Sequence, residues 1–152
     1  MKTRLAAFAL FAIISMAALG KQTQAKDDKM NPVVYFEIPV TDLKRAIAFY
    51  GSVFGFDFEI EEIDGYQMAL LPMNEGAQGI TGALAKGDVY VPSLNGPIIY
   101  FGTNDIRATI EKAVAAGGKI LYPVKSNGPL GFVAEFQDSE GNRIALHQKP
   151  GP

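Results

Sequence analysis

Cysteine is absent from this 152-residue sequence, which excludes disulfides, thiolate nucleophiles and thiolate metal sites. Histidine is nearly absent as well, since His147 is the only one in the chain. Basic residues are too few for a nucleic-acid footprint, because 14 lysines and arginines are set against 16 acidic residues. These shortages exclude several chemistries, and they disfavour nucleic acid as a partner.

Long apolar runs are also absent, apart from one near the N-terminus. Lys2 and Arg4 precede the apolar run from Leu5 to Leu19, and a polar stretch ending in Ala25 follows it. This order of charged, apolar and small residues is typical of a secretory signal peptide. The run is shorter than the ~20 residues that a membrane-spanning helix needs. We therefore expect a signal peptide at 1–25 and a secreted or periplasmic protein, with a retained membrane anchor as the alternative.

Cleavage near Ala25 would leave enough chain for one domain. The segment 26–31 is polar and charged, which predicts a disordered lead-in. Three of the 14 basic residues and none of the 16 acidic ones lie in 1–25, so the rest of the chain carries a net charge of about −5. The segment 32–149 is long enough to form a single domain with an apolar core.

Two halves of the chain match when one is shifted by 63 residues. Each half, 32–86 and 97–149, has the pattern of a strand, a helix and three more strands. Between them, 87–97 is rich in glycine and proline and is predicted to be a surface linker. Identical residues at this shift include Asp42 and Asp105, Ile47 and Ile110, and Gly55 and Gly118.

Alternating apolar residues predict the first strand of each half. One face of these strands is apolar and consists of Val34, Phe36, Ile38 and Val40 in the first half and Ile99 and Phe101 in the second. The opposite face carries Tyr35 and Glu37 in the first half and Ile98 and Tyr100 in the second. The apolar faces are expected to pack against the helices, which leaves the opposite faces for a ligand.

Helices are predicted after each of these strands. Asp42 and Asp105 are good N-cap residues, and Gly55 and the pair at 117–118 are typical helix stops. The remaining strands are predicted near 56–63, 66–71, 79–86, 119–123, 132–137 and 143–148. The result is an α+β fold in which two βαβββ repeats form a curled, barrel-like mixed sheet around a shared cavity.

Four stretches of the sequence stand out, namely VYFEIPVTDLKRAIAFYGSVFGF, GITGALAKG, IIYFGTNDIRATIEKAVAAGGKIL and FVAEFQDSEGNRIALHQ. They resemble the vicinal-oxygen-chelate superfamily, which includes glyoxalases, bleomycin-resistance proteins and dioxygenases. The resemblance is nearest to single-chain proteins related to lactoylglutathione lyase, and it covers nearly all of 32–149. It implies a glyoxalase-like fold, but the substrate stays open because one fold can host many functions.

The resemblance also implies where a metal would bind. The superfamily's metal enzymes usually draw one ligand from each of four strands, and those positions fall on Tyr35, Ile98, Gly82 and Ala145. Isoleucine, glycine and alanine have no side-chain ligand atom, and a neutral tyrosine is a poor ligand. We therefore predict no metal cofactor. The alternative is an atypical site at Glu37 and His147, although two protein ligands are fewer than the usual three or four.

Strand alternation and the repeat together give a set of candidate cavity residues. They are Tyr35, Glu37, Gly82, Ile98, Tyr100, Arg143, Ala145 and His147. Glu37 and His147 are the candidate catalytic pair, with the histidine as a base that the glutamate orients, or with a buried Glu37 as the base. The structural alternatives are a histidine that is merely accommodated and an ion pair between Glu37 and Arg143.

Two functions agree with these residues. The first is a protein that binds a small organic molecule outside the cytoplasm. The second is a lyase or isomerase of the glyoxalase type, either metal-independent with proton transfer by Glu37 and His147 or dependent on an atypical metal site. Both predict a small-molecule ligand or substrate, no nucleic acid and, after signal cleavage, no membrane. The resemblance leaves a monomer and a homodimer both open.

Overall fold

A computed structural model describes residues 32–74, 76 and 78–151. The predicted signal peptide at 1–25 and the predicted lead-in at 26–31 lie outside these residues. No helix in the described part of the chain is long and apolar enough to span a membrane. The elements are β1 (Tyr35–Val40), α1 (Leu43–Phe54), β2 (Glu59–Ile63), β3 (Tyr66–Leu70), β4 (Thr81–Lys86), β5 (Ile99–Gly102), α2 (Ile106–Ala115), β6 (Lys119–Ser126), a 3₁₀ turn (Gly128–Leu130), β7 (Phe132–Gln137) and β8 (Arg143–Gln148).

The strands form two four-stranded sheets of the same design, with orders β1-β4-β3-β2 and β5-β8-β7-β6. In each sheet the first and last strands of a repeat pair in parallel, and the other pairs are antiparallel. The predicted α+β fold of two βαβββ repeats is therefore confirmed. The sheets stay separate within the described residues and do not close into one barrel.

Both helices begin at the predicted caps. The Asp42 side chain accepts a hydrogen bond from the backbone N–H of Arg45, and the Asp105 side chain accepts from two backbone N–H groups of α2. Such bonds satisfy donors that the first helical turn leaves free. At the other end of α1, Gly55 has a φ of 74°, a left-handed conformation that favours glycine.

One apolar core joins the two repeats. Ile38 of β1, Phe49 of α1, Ile110 of α2 and Phe136 of β7 are all buried in it. Burying a side chain of this size stabilises the fold by about 1.5–3 kcal/mol. The apolar face of β1 packs into this core through Phe36, Ile38 and Val40, as alternation predicted, and the opposite face is left for other contacts. Val34, which was predicted on the apolar face, lies before β1 and is 62% exposed, because the strand begins only at Tyr35.

Some strand boundaries differ from the predicted ones. β2 begins at Glu59 rather than 56, because Phe56 packs against the core from a loop. β4 begins at Thr81 rather than 79, and β6 extends to Ser126 rather than 123. β6 continues past Pro123 because it is an edge strand with register irregularities, where a missing backbone N–H is tolerated.

Candidate functional site

A cavity of about 970 Å³ is lined by β1 and β5, each of which is one of the two edge strands of its sheet. The loop before β4, the segment between the repeats and the start of β8 complete its walls. Most of the lining side chains are apolar, and Glu37 and Arg143 are the acidic and basic residues among them. Its volume lies in the range of roughly 300–1,000 Å³ that is usual for small-molecule sites.

Four of the eight candidate residues line this cavity, namely Glu37, Ile98, Tyr100 and Arg143. The other four, Tyr35, Gly82, Ala145 and His147, are not among its lining residues. Tyr35 is 42% exposed beside the cavity on β1, whereas Ala145 is fully buried in β8. The structure therefore brings first-strand candidates of both repeats together with Arg143 at the start of β8, whereas Ala145 and His147 of the same strand lie outside the lining.

Gly82 lies on the opposite face of the sheet from Glu37, which corrects the prediction that it faces the cavity. The pairing of β1 with β4 sets Phe36 beside Gly82 and Glu37 beside Ala83. A Cβ atom at Gly82 would lie 2.2 Å from the Phe36 carbonyl oxygen and 2.7 Å from its ring. The prediction applied the shift of 63 to every strand of the repeat. The pairing of β1 with β4 and of β5 with β8 instead gives a shift of 62 between β4 and β8. The first-repeat counterpart of Ala145 is thus Ala83.

The residues at the implied metal positions do not fit a metal ion. With the corrected register these positions hold Tyr35, Ala83, Ile98 and Ala145, and tyrosine alone among them has a side-chain oxygen. No group of three histidine, aspartate or glutamate side chains converges in the described part of the chain. No chemistry is therefore assigned through a metal at this site.

Glu37 is exposed rather than buried, which corrects the alternative of a buried glutamate base, and it lies beside two tyrosines. The pKa of the Tyr90 hydroxyl is raised above its usual 10.0, first by the adjacent Glu37 carboxylate, which favours the protonated hydroxyl, and then by burial. The pKa of Tyr35 is raised by burial first and then by the negative charge of Glu37. The ion pairs among the described residues do not include Glu37. Its carboxylate therefore has tyrosine neighbours but no cationic partner.

The segment between the repeats helps to build the site, which the prediction of a plain surface linker missed. The Tyr90 ring packs at 86° against Tyr66, with centroids 5.4 Å apart, over a small buried cluster on the Glu37 face. Val91 and Ser93 of the same segment line the cavity. Gly87 allows this packing, because a Cβ at this position would clash with the Tyr66 ring.

Arg143 forms its ion pair with Glu135, so the alternative of an ion pair with Glu37 is not realised. The Arg143 Nε atom donates to Glu135 Oε2 at 2.7 Å. Glu135 is 8% exposed, in the middle of β7. Sequence reasoning passed over Glu135, although it alternates with apolar Ala134 and Phe136 and so had to face away from the core.

His147 makes a different contact from the one predicted for it. Its Nε2 atom lies 2.7 Å from the Leu130 carbonyl oxygen, so this nitrogen carries the proton and donates. The described residues show no hydrogen bond or ion pair between His147 and Glu37. Proton transfer by this pair remains a prediction.

Asn142 holds the wall of the cavity where the two repeats meet. Its Nδ2 atom donates to the Pro39 carbonyl oxygen at 2.8 Å and to Asp138 Oδ2 at 2.9 Å. Its Oδ1 atom accepts from the backbone N–H of Ser93 at 3.2 Å. This one side chain thus joins β1, the β7–β8 turn and the segment between the repeats, which fixes the shape of the cavity.

The family sequence model of the Glyoxalase/Bleomycin resistance protein/Dioxygenase superfamily matches residues 32–146 of this chain. The chain belongs to this superfamily. Among relatives, a glyoxylase-like domain-containing protein of Didymella fabae is 35% identical over 121 residues, which are 76% of this chain and 91% of that protein.

Solved structures of the superfamily share the fold. Glyoxalase I from Zea mays is 22% identical with a TM-score of 0.59, over 77% of this chain and 46% of that chain. TnmS3, an antibiotic binding protein from Streptomyces sp. CB03234, is 25% identical with a TM-score of 0.57, over 80% of this chain and 98% of that chain. Because this superfamily member spans less than half of the maize enzyme, that likeness shows the fold alone.

Proposed function

We propose that this superfamily member binds a small organic molecule in the cavity between β1 and β5, without a metal. The observation that carries the proposal is the cavity itself, with about 970 Å³ of mostly apolar space and a few convergent polar groups. Apolar walls supply affinity, and a small number of placed polar groups orient a ligand. Glu37, Tyr100 and Arg143 are the polar groups that would do this here.

Two further observations support the proposal, the first for the lack of a metal and the second for binding of an organic molecule. The ligand positions implied by the family hold aliphatic residues at Ala83, Ile98 and Ala145. TnmS3, which shares the fold over most of both chains, is an antibiotic binding protein, so binding of an organic molecule has a precedent in a similar protein. We expect the purified protein, dialysed with zinc, nickel, manganese or iron, to retain none of them. Retention of about one metal ion per chain would overturn this part of the proposal.

We also propose that the protein works outside the cytoplasm. The support is the charged, apolar and small-residue order of 1–25. N-terminal sequencing of the protein recovered from fractionated cells would test it. An N-terminus near Lys26 in the exported fraction is expected, and an unprocessed chain in the cytoplasm would contradict it.

The second candidate function is a metal-independent lyase or isomerase of the glyoxalase type. The observation in its favour is that Glu37, a possible proton acceptor, faces the cavity beside the Tyr90 hydroxyl. Glu37→Gln separates the two functions, because the amide keeps the shape of the side chain but cannot accept a proton. Lost turnover with retained ligand binding would favour the enzyme, and the binding function predicts no turnover in either protein.

A cavity-filling variant tests the proposed binding directly. Gly102 lines the cavity, and a Cβ at this position would have no atom within 4 Å. Gly102→Leu therefore places its Cβ in open space and its larger side chain in the cavity, and Gly151→Leu is the matched control because Gly151 is also open and does not line the cavity. In a ligand screen by protein-observed NMR, hits should be weakened by Gly102→Leu alone. Hits that are equally affected by both variants would contradict binding in the cavity.

A further inference from the structure

The charges around the cavity do not balance. Two oppositely charged residues line it, but the Arg143 guanidinium is neutralised by Glu135 at 2.7 Å. Glu37 has no cationic partner among the described ion pairs. The negative charge of Glu37 is therefore the one that the cavity leaves for a ligand to neutralise.

The aromatic surroundings of Glu37 favour the same kind of ligand. Tyr35 and Tyr90 lie beside its carboxylate, and Tyr66 stands perpendicular to Tyr90. Tyr100 of β5 corresponds to Glu37 at the repeat shift of 63. It lines the cavity and is 52% exposed. Electron-rich ring faces attract cations, and carboxylates add a direct charge interaction.

We infer that the ligand of this cavity is an organic cation, with its ammonium group at Glu37 and its apolar part along the cavity walls. The inference rests on the proposed function, since it names the ligand class of the same site. An anion would be repelled by Glu37, and it would have to compete with the buried Glu135 for Arg143. Glu37 is exposed, so water solvates its carboxylate in the free protein, and a neutral ligand would gain no charge interaction there.

Three probes of similar size separate charge from shape. They are 2-phenylethylammonium, the neutral 2-phenylethanol and the anion phenylacetate, titrated into the full protein at low salt and followed by NMR shifts of cavity residues. We expect the cation to bind at least about fivefold more tightly than the alcohol, and the anion most weakly. The preference should shrink in about 1 M salt, where charges on this partly exposed site are screened.

Glu37→Gln should abolish the preference for the cation, so that the variant binds the cation and the alcohol with about equal affinity. Glu111→Gln is the matched control, because Glu111 is an exposed residue of α2 that does not line the cavity. Equal affinity of the native protein for the cation and the alcohol would overturn the inference and leave cavity binding intact. A preference that survives Glu37→Gln would overturn it as well. Binding of none of the three probes would count against both the inference and the proposed function.

Discussion

The Glu140 carboxylate of the β7–β8 turn binds the Arg45 guanidinium of α1, with 2.8 Å between Oε1 and Nε. Its other oxygen accepts from the backbone N–H groups of Thr41 and Asp42, both at 3.0 Å. Burial alone would raise the pKa of Glu140, but the hydrogen bonds from Arg45, Asp42 and Thr41 outweigh it and lower the pKa from 4.5 to about 2. An acidic side chain of the second repeat thus stabilises the N-terminus of the first helix.

This contact predicts a pH-dependent stability. Because the folded-state pKa of Glu140 lies below the unfolded value of 4.5, its charge stabilises the fold above that pH and loses this effect as the pH falls toward 2. Glu140→Gln should lower the free energy of unfolding by about 1–2 kcal/mol at pH 7, and by less at pH 3. Urea unfolding at both pH values measures the difference. The control variant Glu62→Gln, in the exposed strand β2, should change the free energy of unfolding at neither pH. A loss in Glu140→Gln that is equal at both pH values would contradict the prediction.

A second prediction concerns the buried bond between Tyr50 and Asp138. The Tyr50 hydroxyl donates to Asp138 Oδ2 at 2.8 Å, and both residues are buried. Burial and the negative charge of Asp138 raise the pKa of Tyr50 well above 10.0, so the hydroxyl keeps its proton. Tyr50→Phe should cost about 2 kcal/mol in the free energy of unfolding, because a carboxylate loses a buried donor. The control variant Tyr122→Phe, at an exposed tyrosine, should change the free energy of unfolding by less than about 0.5 kcal/mol. Equal losses in the two variants would contradict a stabilising bond between Tyr50 and Asp138.

A third prediction tests the corrected position of Gly82. Its missing side chain leaves room for Phe36, whose carbonyl oxygen would lie 2.2 Å from a Cβ at that position. Gly82→Ala should therefore destabilise the protein by about 2 kcal/mol or more, since the backbone of β1 must move. Gly96→Ala is the control, because a Cβ there meets no atom within 4 Å. Thermal unfolding that leaves Gly82→Ala as stable as Gly96→Ala would show that Gly82 faces open space.

The fold could be predicted from the sequence because its signals are local and repeated. Alternation in β1 and the caps at Asp42 and Asp105 each depend on a few neighbouring residues, and the structure confirms them. The site was harder to predict, because a difference of one residue in the repeat shift reverses the face of a strand. Gly82 is the example. With a shift of 62 rather than 63, Ala83 is the counterpart of Ala145, and Gly82 lies beside Phe36 on the other face.

Contacts between distant segments could not be predicted at all. Tyr90 lies beside Glu37 because the segment after β4 folds back over its own sheet, and no periodic pattern in that segment indicates this. Likewise, Arg143 had two possible acidic partners, and only the pairing of β7 with β8 selects Glu135. Composition and periodicity identify which residues face away from the core, but the register between strands decides which of them meet.

The last prediction concerns the pair of Arg143 and Glu135 beside the cavity. Arg143→Met keeps an unbranched chain in place of the aliphatic stem of the arginine. It removes the guanidinium, which is the only ion-pair partner of Glu135 among the described residues. A carboxylate left buried without a partner is costly, so we expect a loss of about 2–3 kcal/mol in the free energy of unfolding. Adding Glu135→Gln to Arg143→Met should restore more than half of that loss, because the buried group is then neutral. If the double variant is as unstable as the sum of the two single variants, measured by urea unfolding at pH 7, the two residues are not coupled and Arg143 acts through packing alone.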